Sequence, residues 1–353
     1  MEELWYSPHM AAASRAISER IPLVDLIVEL RDARIPLSSE LEILRNYPTS
    51  SRHIVVLNKM DLADRSKSQE WMKYLRERNF ISYGVNSHNK ENIKKFLSFI
   101  QTQVRGLKRT DHSSDTATVM LVGIPNVGKS AVANSLHKIG RISAAEKGKL
   151  KHAIVSPEPG ETRDIRSFKI ASHPNIYVLD TPGILPPRIP DVDVCSKLIL
   201  TGAINDCLIE IKELAQYFLA IFNCSEQYKN WENLSTKDND KLFLDCTTEC
   251  LTSSKMHMKQ RRQSPTDHTQ DCIVRDVRRT LFETISAFDG NTRDEEEMAE
   301  LISRQFSALQ EAFQVSNECQ EEANVKVAKK LLNLFRTGRL GHYTLDLLPS
   351  NIH

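Results

Sequence analysis

Val119-Met120-Leu121-Val122-Gly123-Ile124-Pro125-Asn126-Val127-Gly128-Lys129-Ser130 is the stretch on which the reading of this chain turns. Val119 to Val122 is a short apolar run of the kind a buried strand makes. The eight residues after it match G-x-x-x-x-G-K-[ST], and Lys129 to Ile139 then has a helical pattern. A strand, a turn carrying Gly123 and Gly128, and a helix in that order make a phosphate loop. Its backbone N–H groups wrap a phosphate, and the helix N-terminus adds a favourable dipole. Lys129 is expected to reach the β- and γ-phosphates and the Ser130 hydroxyl to ligate Mg²⁺. Asn126, Val127 and Ala131 complete the nucleotide-binding set expected here.

Downstream, Asp180-Thr181-Pro182-Gly183 closes the apolar run Ile176 to Leu179. An Asp at the carboxyl end of a strand facing the phosphate loop is placed to hold Mg²⁺, directly or through its water shell, and the Gly183 amide to sense a γ-phosphate. Alone, the tetrapeptide is only a strand and a turn; its position after a phosphate loop gives it meaning. Between the two lies Pro159-Gly160-Glu161-Thr162. Thr162 is the only threonine between Ser130 and Asp180, hence the candidate for a threonine that closes on Mg²⁺.

Upstream, Asn58-Lys59-Met60-Asp61 follows the apolar run His53 to Leu57. A carboxylate accepts both the N1–H and the N2 amino group of guanine in a charge-assisted pair, and adenine offers neither donor. Asp61 is therefore expected to select GTP and GDP, Asn58 to buttress the loop, and the Lys59 stem to cover the base plane. Asn86-Ser87, after the run Phe80 to Val85, is where a second base-binding loop belongs.

The order of these motifs is unusual. The guanine loop begins 65 residues before the phosphate loop (123 − 58), whereas an ordinary GTPase runs the other way. This is a circular permutation, a rearrangement tolerated when chain termini lie close together. Apolar runs at Leu23–Leu30, His53–Leu57, Phe80–Val85, Val119–Val122 and Ile176–Leu179 alternate with helical stretches at Lys67–Arg78, Asn89–Val104 and Lys129–Ile139. That alternation gives an α/β domain with a mostly parallel sheet, over residues 1–190. Arg105 to Thr116 reads as a surface linker. Pro186, Pro187 and Pro190 end regular structure. Residues 191–353 then read as an all-α domain, with helices at Leu198–Ile204, Ile209–Phe222, Asp276–Phe288, Glu296–Phe313 and Ala323–Phe335. Val325, Ala328, Leu332 and Phe335 fall on one face of the last, and a polar insertion lies near 233–271. In this arrangement the Asp180–Gly183 segment leads directly into the helical domain.

Composition sets bounds on this reading. The chain has 353 residues and only 12 glycines, six of them between Gly123 and Gly183. Collagen-like and Gly-rich disordered classes are excluded. Net charge is +1, divided into +8 for residues 1–190 (28 Lys and Arg, 20 Asp and Glu) and −7 for the remainder (19 and 26). The basic half suits phosphates or RNA, or is a solvated surface. Seven cysteines, all in the C-terminal half, do not form a secreted disulfide framework. Cys246 and Cys250 lack the second pair that a zinc site needs. No run reaches the roughly 18 apolar residues of a membrane span; the start at Met1-Glu2-Glu3 carries no secretory signal, and its acidity argues against a transit peptide within these residues.

The motif order, Asp32-Ala33-Arg34, the opening Trp5-Tyr6-Ser7-Pro8-His9-Met10 and the ending Gly338-Arg339-Leu340-Gly341-His342-Tyr343-Thr344-Leu345-Asp346 together resemble the circularly permuted GTPases of ribosome assembly. The likeness is greatest to the branch of ribosome biogenesis GTPase A, mitochondrial ribosome-associated GTPase 1 and the plant DAR GTPases. The resemblance implies GTP hydrolysis coupled to maturation of a large ribosomal subunit, with rRNA and ribosomal proteins as partners. It also implies Mg²⁺ dependence and activation by K⁺, for which Asn126 matches the family's ligand. A mitochondrial site is favoured over chloroplast, cytoplasm or nucleolus, and the free protein is expected to be a monomer. Ile184 stands where many GTPases carry a water-positioning Gln; the resemblance offers His9 for that task. The family's usual Pro-Gly-His-Met is Ser7-Pro8-His9-Met10 here, which stiffens the segment. Lys326, Lys329, Lys330, Arg336 and Arg339 offer a local basic face for RNA, and Arg141, Lys147, Lys149 and Lys151 a second basic loop. The alternative is a GTP-dependent RNA- or protein-binding scaffold with little intrinsic hydrolysis.

Overall fold

Three apolar strands, β1 (Leu26–Asp32), β2 (His53–Asn58) and β4 (Thr116–Val122), form the centre of the sheet because both of their faces are apolar enough to be covered. The computed structural model describes residues 5–47, 52–110, 116–143, 164–189, 191–234, 268–315 and 319–349. With β3 (Ile81–Gly84), β5 (Arg166–Ser172) and β6 (Asn175–Asp180), the strands build one six-stranded sheet in the order β3-β2-β1-β4-β6-β5. All pairs are parallel except β5 with β6. The chain moves outward from β1 to one side and from β4 to the other, so the strand order reverses between β1 and β4. In open α/β sheets a ligand crevice lies outside the carboxyl ends of the strands at such a point. The register sets Asp32 opposite Asn58 and Leu121 opposite Asp180, which gathers the motif-bearing loops at that one end.

Helices α1 (Pro8–Arg20), α2 (Arg65–Glu77), α3 (Lys90–Thr110), α4 (Lys129–Ser143) and α5 (Val192–Leu200) complete this part of the chain. Asp64 caps α2 by accepting from the Lys67 N–H, and Asp191 caps α5 by accepting from the Asp193 and Val194 N–H groups. Helix α4 lies on β5 at close range. A Cβ added at Gly140 would sit 2.1 Å from the Ile170 carbonyl oxygen, so only glycine lets the two backbones meet there. His137 Nδ1 lies 2.8 Å from the Lys169 carbonyl oxygen beside it.

The chain divides into two units, Met1–Ile209 with His342–His353, and Glu210–Gly341. The break therefore falls beyond the prolines around residue 190. Helix α5 stays with the sheet because Leu198, Ile199 and Leu200 are buried and the Thr201 and Gly202 carbonyls accept from Arg34 and Asn126. The second unit holds α6 (Ile211–Cys224), a 3₁₀ segment at Glu226–Leu234, and α7 (His268–Ser286), α8 (Glu295–Ala312) and α9 (Gln320–Arg336). Its core packs Phe218 against Phe335 in a tilted pair (4.8 Å between centroids) and stacks Phe222 on Trp231 (5.3 Å). A reciprocal pair of side-chain hydrogen bonds joins Asn223 and Gln305, at 3.0 and 2.7 Å.

Several expectations are corrected. Strand β1 begins at Leu26 rather than Leu23, because Pro22 sits in a 3₁₀ turn. The expected linker from Arg105 continues α3 as far as Thr110. Helix α5 occupies Val192–Leu200 in place of Leu198–Ile204. α1 and the edge strand β5 had no apolar run to announce them. Val325 is exposed, and the buried face of α9 is formed by Ala323, Val327, Ala328, Leu331, Leu332 and Phe335. From His268 onward the expected insertion is helical. Among the described residues no helix is long and apolar enough to cross a membrane. Cys246, Cys250, Lys147, Lys149 and Lys151 lie outside the described residues.

Candidate nucleotide site

The turn between β4 and α4 is held in its shape from outside the motif. Asn126 and Gly128 have positive φ (58° and 93°). The buried Asn58, at the end of β2, donates from Nδ2 to the Val127 carbonyl at 2.8 Å. A Cβ at Gly128 would lie 2.3 Å from that Nδ2. The residue is therefore glycine for two reasons, its backbone conformation and the neighbour packed on it. One Asn thus joins the guanine loop to the phosphate loop. Lys129 folds back over its own turn, donating from Nζ to the carbonyls of Gly123 (3.0 Å) and Ile124 (2.7 Å). Burial lowers its pKa to about 8, with the Asp180 charge opposing the fall and Lys59 adding to it. Ala131 follows in the first turn of α4, half-buried.

Beside this turn, the Ser130 hydroxyl donates to Asp180 Oδ2 at 2.8 Å. Burial raises the Asp180 pKa, against the Ser130 hydrogen bond and the Lys129 charge. Its second oxygen, Oδ1, is buried with no hydrogen-bond partner. An orphaned carboxylate oxygen next to a hydroxyl, both hard oxygen donors, fits a Mg²⁺ ion. Ile184 is buried, and its N–H points to the Gly123 carbonyl at 3.4 Å, so the segment from Asp180 to Gly183 lies against the phosphate loop. Gly160 and Thr162 lie outside the described residues.

At the ends of β2 and β3, the guanine-loop residues come together. Lys59 takes positive φ (61°), Asp61 is exposed, and the Met60 N–H donates to the Val85 carbonyl at 3.3 Å. Next to it, the Asn92 side chain accepts from the Asn86 N–H, and the Asn86 side chain accepts from the His88 N–H, each at 2.8 Å. The carbonyl of buried Ser87 accepts from the Ser135 hydroxyl of α4 at 3.1 Å. Asn58 to Asp61, Asn86, Ser87 and the phosphate loop are thus joined through two elements, Asn58 and α4.

Two further site residues were quoted in the sequence only as part of a resemblance. Asp32 ends β1 and accepts from Lys59 Nζ at 2.8 Å, and from Arg34 Nε and Nη2 at 3.0 and 2.8 Å. Burial works against its charge, yet Arg34 and Lys59 hold the carboxyl well below the usual range. Asp32 therefore fixes the Lys59 side chain, and Arg34 fixes Asp32. The signal available was a cluster of charges, Arg31-Asp32-Ala33-Arg34, at the end of a buried strand, where unpaired charge is too costly to keep.

Asn126 and His9 stand differently. The Asn126 amide nitrogen donates to the Gly202 carbonyl at 2.7 Å, which orients its amide. His9 is exposed in the first turn of α1. The segment before it is tethered, since Trp5 Nε1 donates to the Pro186 carbonyl at 3.1 Å and Ser7 caps the helix.

Comparison with known proteins agrees with this arrangement. A model of the family described as "50S ribosome-binding GTPase" matches residues 118–248. "DAR GTPase 2, mitochondrial" of Arabidopsis thaliana is 59% identical over 345 residues, spanning 97% of this chain and 90% of that protein. "Short integuments 2, mitochondrial" of the same plant is 40% identical over 348 residues, spanning 98% and 89%. "Ribosome biogenesis GTPase A" of Priestia megaterium is 31% identical over 300 residues, spanning 81% and 96%. With its guanine loop ahead of its phosphate loop and likeness of this extent, the chain belongs to the circularly permuted GTPase family that includes DAR GTPase 2 and ribosome biogenesis GTPase A.

Proposed function

We propose that this protein binds and hydrolyses GTP to drive or check maturation of the large ribosomal subunit in the mitochondrion. The observation that carries the reading is the set formed by buried Lys129, half-buried Ser130 and buried Asp180, joined through Asn58 to the guanine loop. Asp61 selects guanine, and Lys59, Met60, Asn86 and Ser87 frame the base. Gly123, Val127, Gly128 and Ala131 line the phosphates, and Lys129 leaves its own carbonyls for the phosphate oxygens. Ser130, Thr162 and Asp180 are the residues that hold Mg²⁺, which neutralises charge on the β- and γ-phosphates. The Gly183 amide senses the γ-phosphate.

Asn126 is the residue we assign to K⁺, because Gly202 fixes its amide and it sits in the phosphate loop. An aliphatic Ile184 cannot orient water, so we assign that task to His9, on the α1 segment that Trp5 ties to Pro186. The mitochondrial site and the ribosomal partner are supported by the names of the two plant relatives and the bacterial one. Lys326 and Lys329 are exposed on α9 and, with Lys330, Arg336 and Arg339, suit RNA phosphates. The free protein is taken to be a monomer.

A scaffold that binds GTP without turning it over is favoured by the exposed His9 and by the buried Ile184. Steady-state GTP turnover in K⁺ or Na⁺, with and without mitochondrial large subunits, separates the two. The proposal expects both K⁺ and subunits to raise turnover. Turnover that responds to neither refutes it and leaves the scaffold.

A further inference from the structure

The ending Tyr343-Thr344-Leu345-Asp346 is buried at all four residues, a carboxylate among them, and it belongs with the sheet rather than with the helices it follows. Its bonds go to two loops. The Tyr343 N–H donates to the Leu62 carbonyl at 3.2 Å, one residue past Asp61, and the Leu345 N–H donates to the Arg34 carbonyl at 2.7 Å. The Thr344 hydroxyl donates to the Ala33 carbonyl at 3.4 Å. Arg34 grips Asp32, and Asp32 grips Lys59. Only three bonds therefore separate the tail from the side chain that covers the base.

Asp346 anchors this segment. Its carboxylate accepts from the N–H groups of Leu37 and Ser38, both at 2.8 Å, and from the Ser38 hydroxyl at 2.6 Å. Lys197 Nζ lies 3.3 Å away, and the Asp346 carbonyl accepts from Trp71 Nε1 at 3.4 Å. A buried carboxylate with this many donors is held in one place. The loops that the segment ties, through Leu345 to Arg34 and through Tyr343 to Leu62, follow Asp32 and Asp61. Asp61 itself is exposed, and its position follows the backbone that bears it.

We propose that Tyr343–Asp346 is a positioning strap for the guanine-reading loop, with Asp346 as its anchor. The inference rests on Asp61 being the guanine-selecting carboxylate. An unstrapped loop must be ordered when the base binds, and that ordering costs affinity. The cost falls on the base edge, because the strap bonds the chain at Leu62 and Arg34, whereas the phosphate loop is braced by Asn58 at the end of β2. The strap follows the helical unit, which ends at Gly341.

The test measures GDP and IDP affinity for the full chain, since the inosine base lacks the N2 amino group. Asp346→Ala is expected to weaken GDP about tenfold and IDP clearly less. Ser38→Ala, which removes a single hydroxyl and keeps the carboxylate, is expected to weaken GDP about threefold. It carries the test if Asp346→Ala does not fold. Asp346→Asn is expected to restore part of the loss. Unchanged GDP affinity in folded variants, or equal losses for GDP and IDP, overturns the strap. A wild-type protein that does not prefer GDP over IDP overturns instead the assignment of Asp61 on which the strap rests.

Discussion

Asn58→Ala tests the joint between the two halves of the site. The side chain is fully buried, and its Nδ2 makes a 2.8 Å bond to the Val127 carbonyl. Removing it leaves that carbonyl without its donor in the interior, which costs about 1–3 kcal/mol. Asn58 Oδ1 is itself buried without a partner, so the wild type already bears a desolvation penalty that alanine relieves. The lower part of the range follows, about 1–2 kcal/mol. In the variant the arriving nucleotide must order the unbraced phosphate loop, and that sum appears as a loss of affinity of about 5- to 30-fold. Because the lost bond braces the phosphates and not the base, GDP, IDP and ADP should all weaken by a similar factor. Asp61→Asn, in contrast, should lower GDP affinity and change the ranking of the bases. Titration with fluorescent derivatives of the three nucleotides, alongside thermal melting, makes the measurement. An Asn58→Ala protein that melts normally and binds all three as before would refute the reasoning, and so would a loss confined to GDP.

Asp180→Asn removes the charge from a buried carboxylate whose pKa burial already raises, so the nucleotide-free fold should keep its stability. The Mg²⁺ concentration for half-maximal GTP binding should rise more than tenfold, and an unchanged Mg²⁺ titration sinks the metal assignment. Lys129, with a pKa of about 8 in the folded chain against 10.5 ordinarily, gives a pH dependence of known sign. Between those values the unfolded chain binds more protons, so the nucleotide-free protein gains stability as pH rises through that window. A bound phosphate restores the ammonium, so binding takes up a proton and GDP affinity should fall roughly fourfold from pH 7 to 8.5. Calorimetry in two buffers of different ionisation enthalpy checks this, and proton-neutral binding contradicts it. Gly140→Ala puts a Cβ 2.1 Å from the Ile170 carbonyl, a backbone atom that no rotamer change moves aside. The expected loss is about 1–3 kcal/mol of folding stability, read from urea denaturation; wild-type stability would refute the packing of α4 on β5.

Legibility in the sequence followed the range of the interactions involved. Gly123 to Ser130, Asn58 to Asp61 and Asp180 to Gly183 stand out because binding a phosphate, a base edge or a cation calls for particular residue types at fixed spacing on one short segment. The central strands were readable because burial on both faces leaves a continuous apolar run. Strand β5 was not, since an edge strand with Arg166, Ser167 and Lys169 carries no such run. The expected run for β1 stops at the apolar Leu30, two residues short of the strand's end at Asp32. Glu29 and Arg31 lie inside the strand, buried, with Arg31 bonded to Glu29 at 2.8 and 3.1 Å and His53 Nε2 2.9 Å from the same carboxylate. Such a charge is acceptable in a strand only when its partner is present, and His53 comes from the neighbouring strand.

By itself, then, the amino-acid sequence determined the nucleotide chemistry, the permuted order of the loops and the α/β-then-helical plan, all of which are written in contiguous residues. Only the tertiary structure decided what holds those loops to one another. Asn58 on the Val127 carbonyl, Asp32 between Arg34 and Lys59, Gly140 against β5, and Asp346 on the Leu37 and Ser38 amides are contacts between distant segments. Their residue types are ordinary, and their roles exist only because the folded chain, from the register of the strands to the return of the C-terminal segment, brings the partners together.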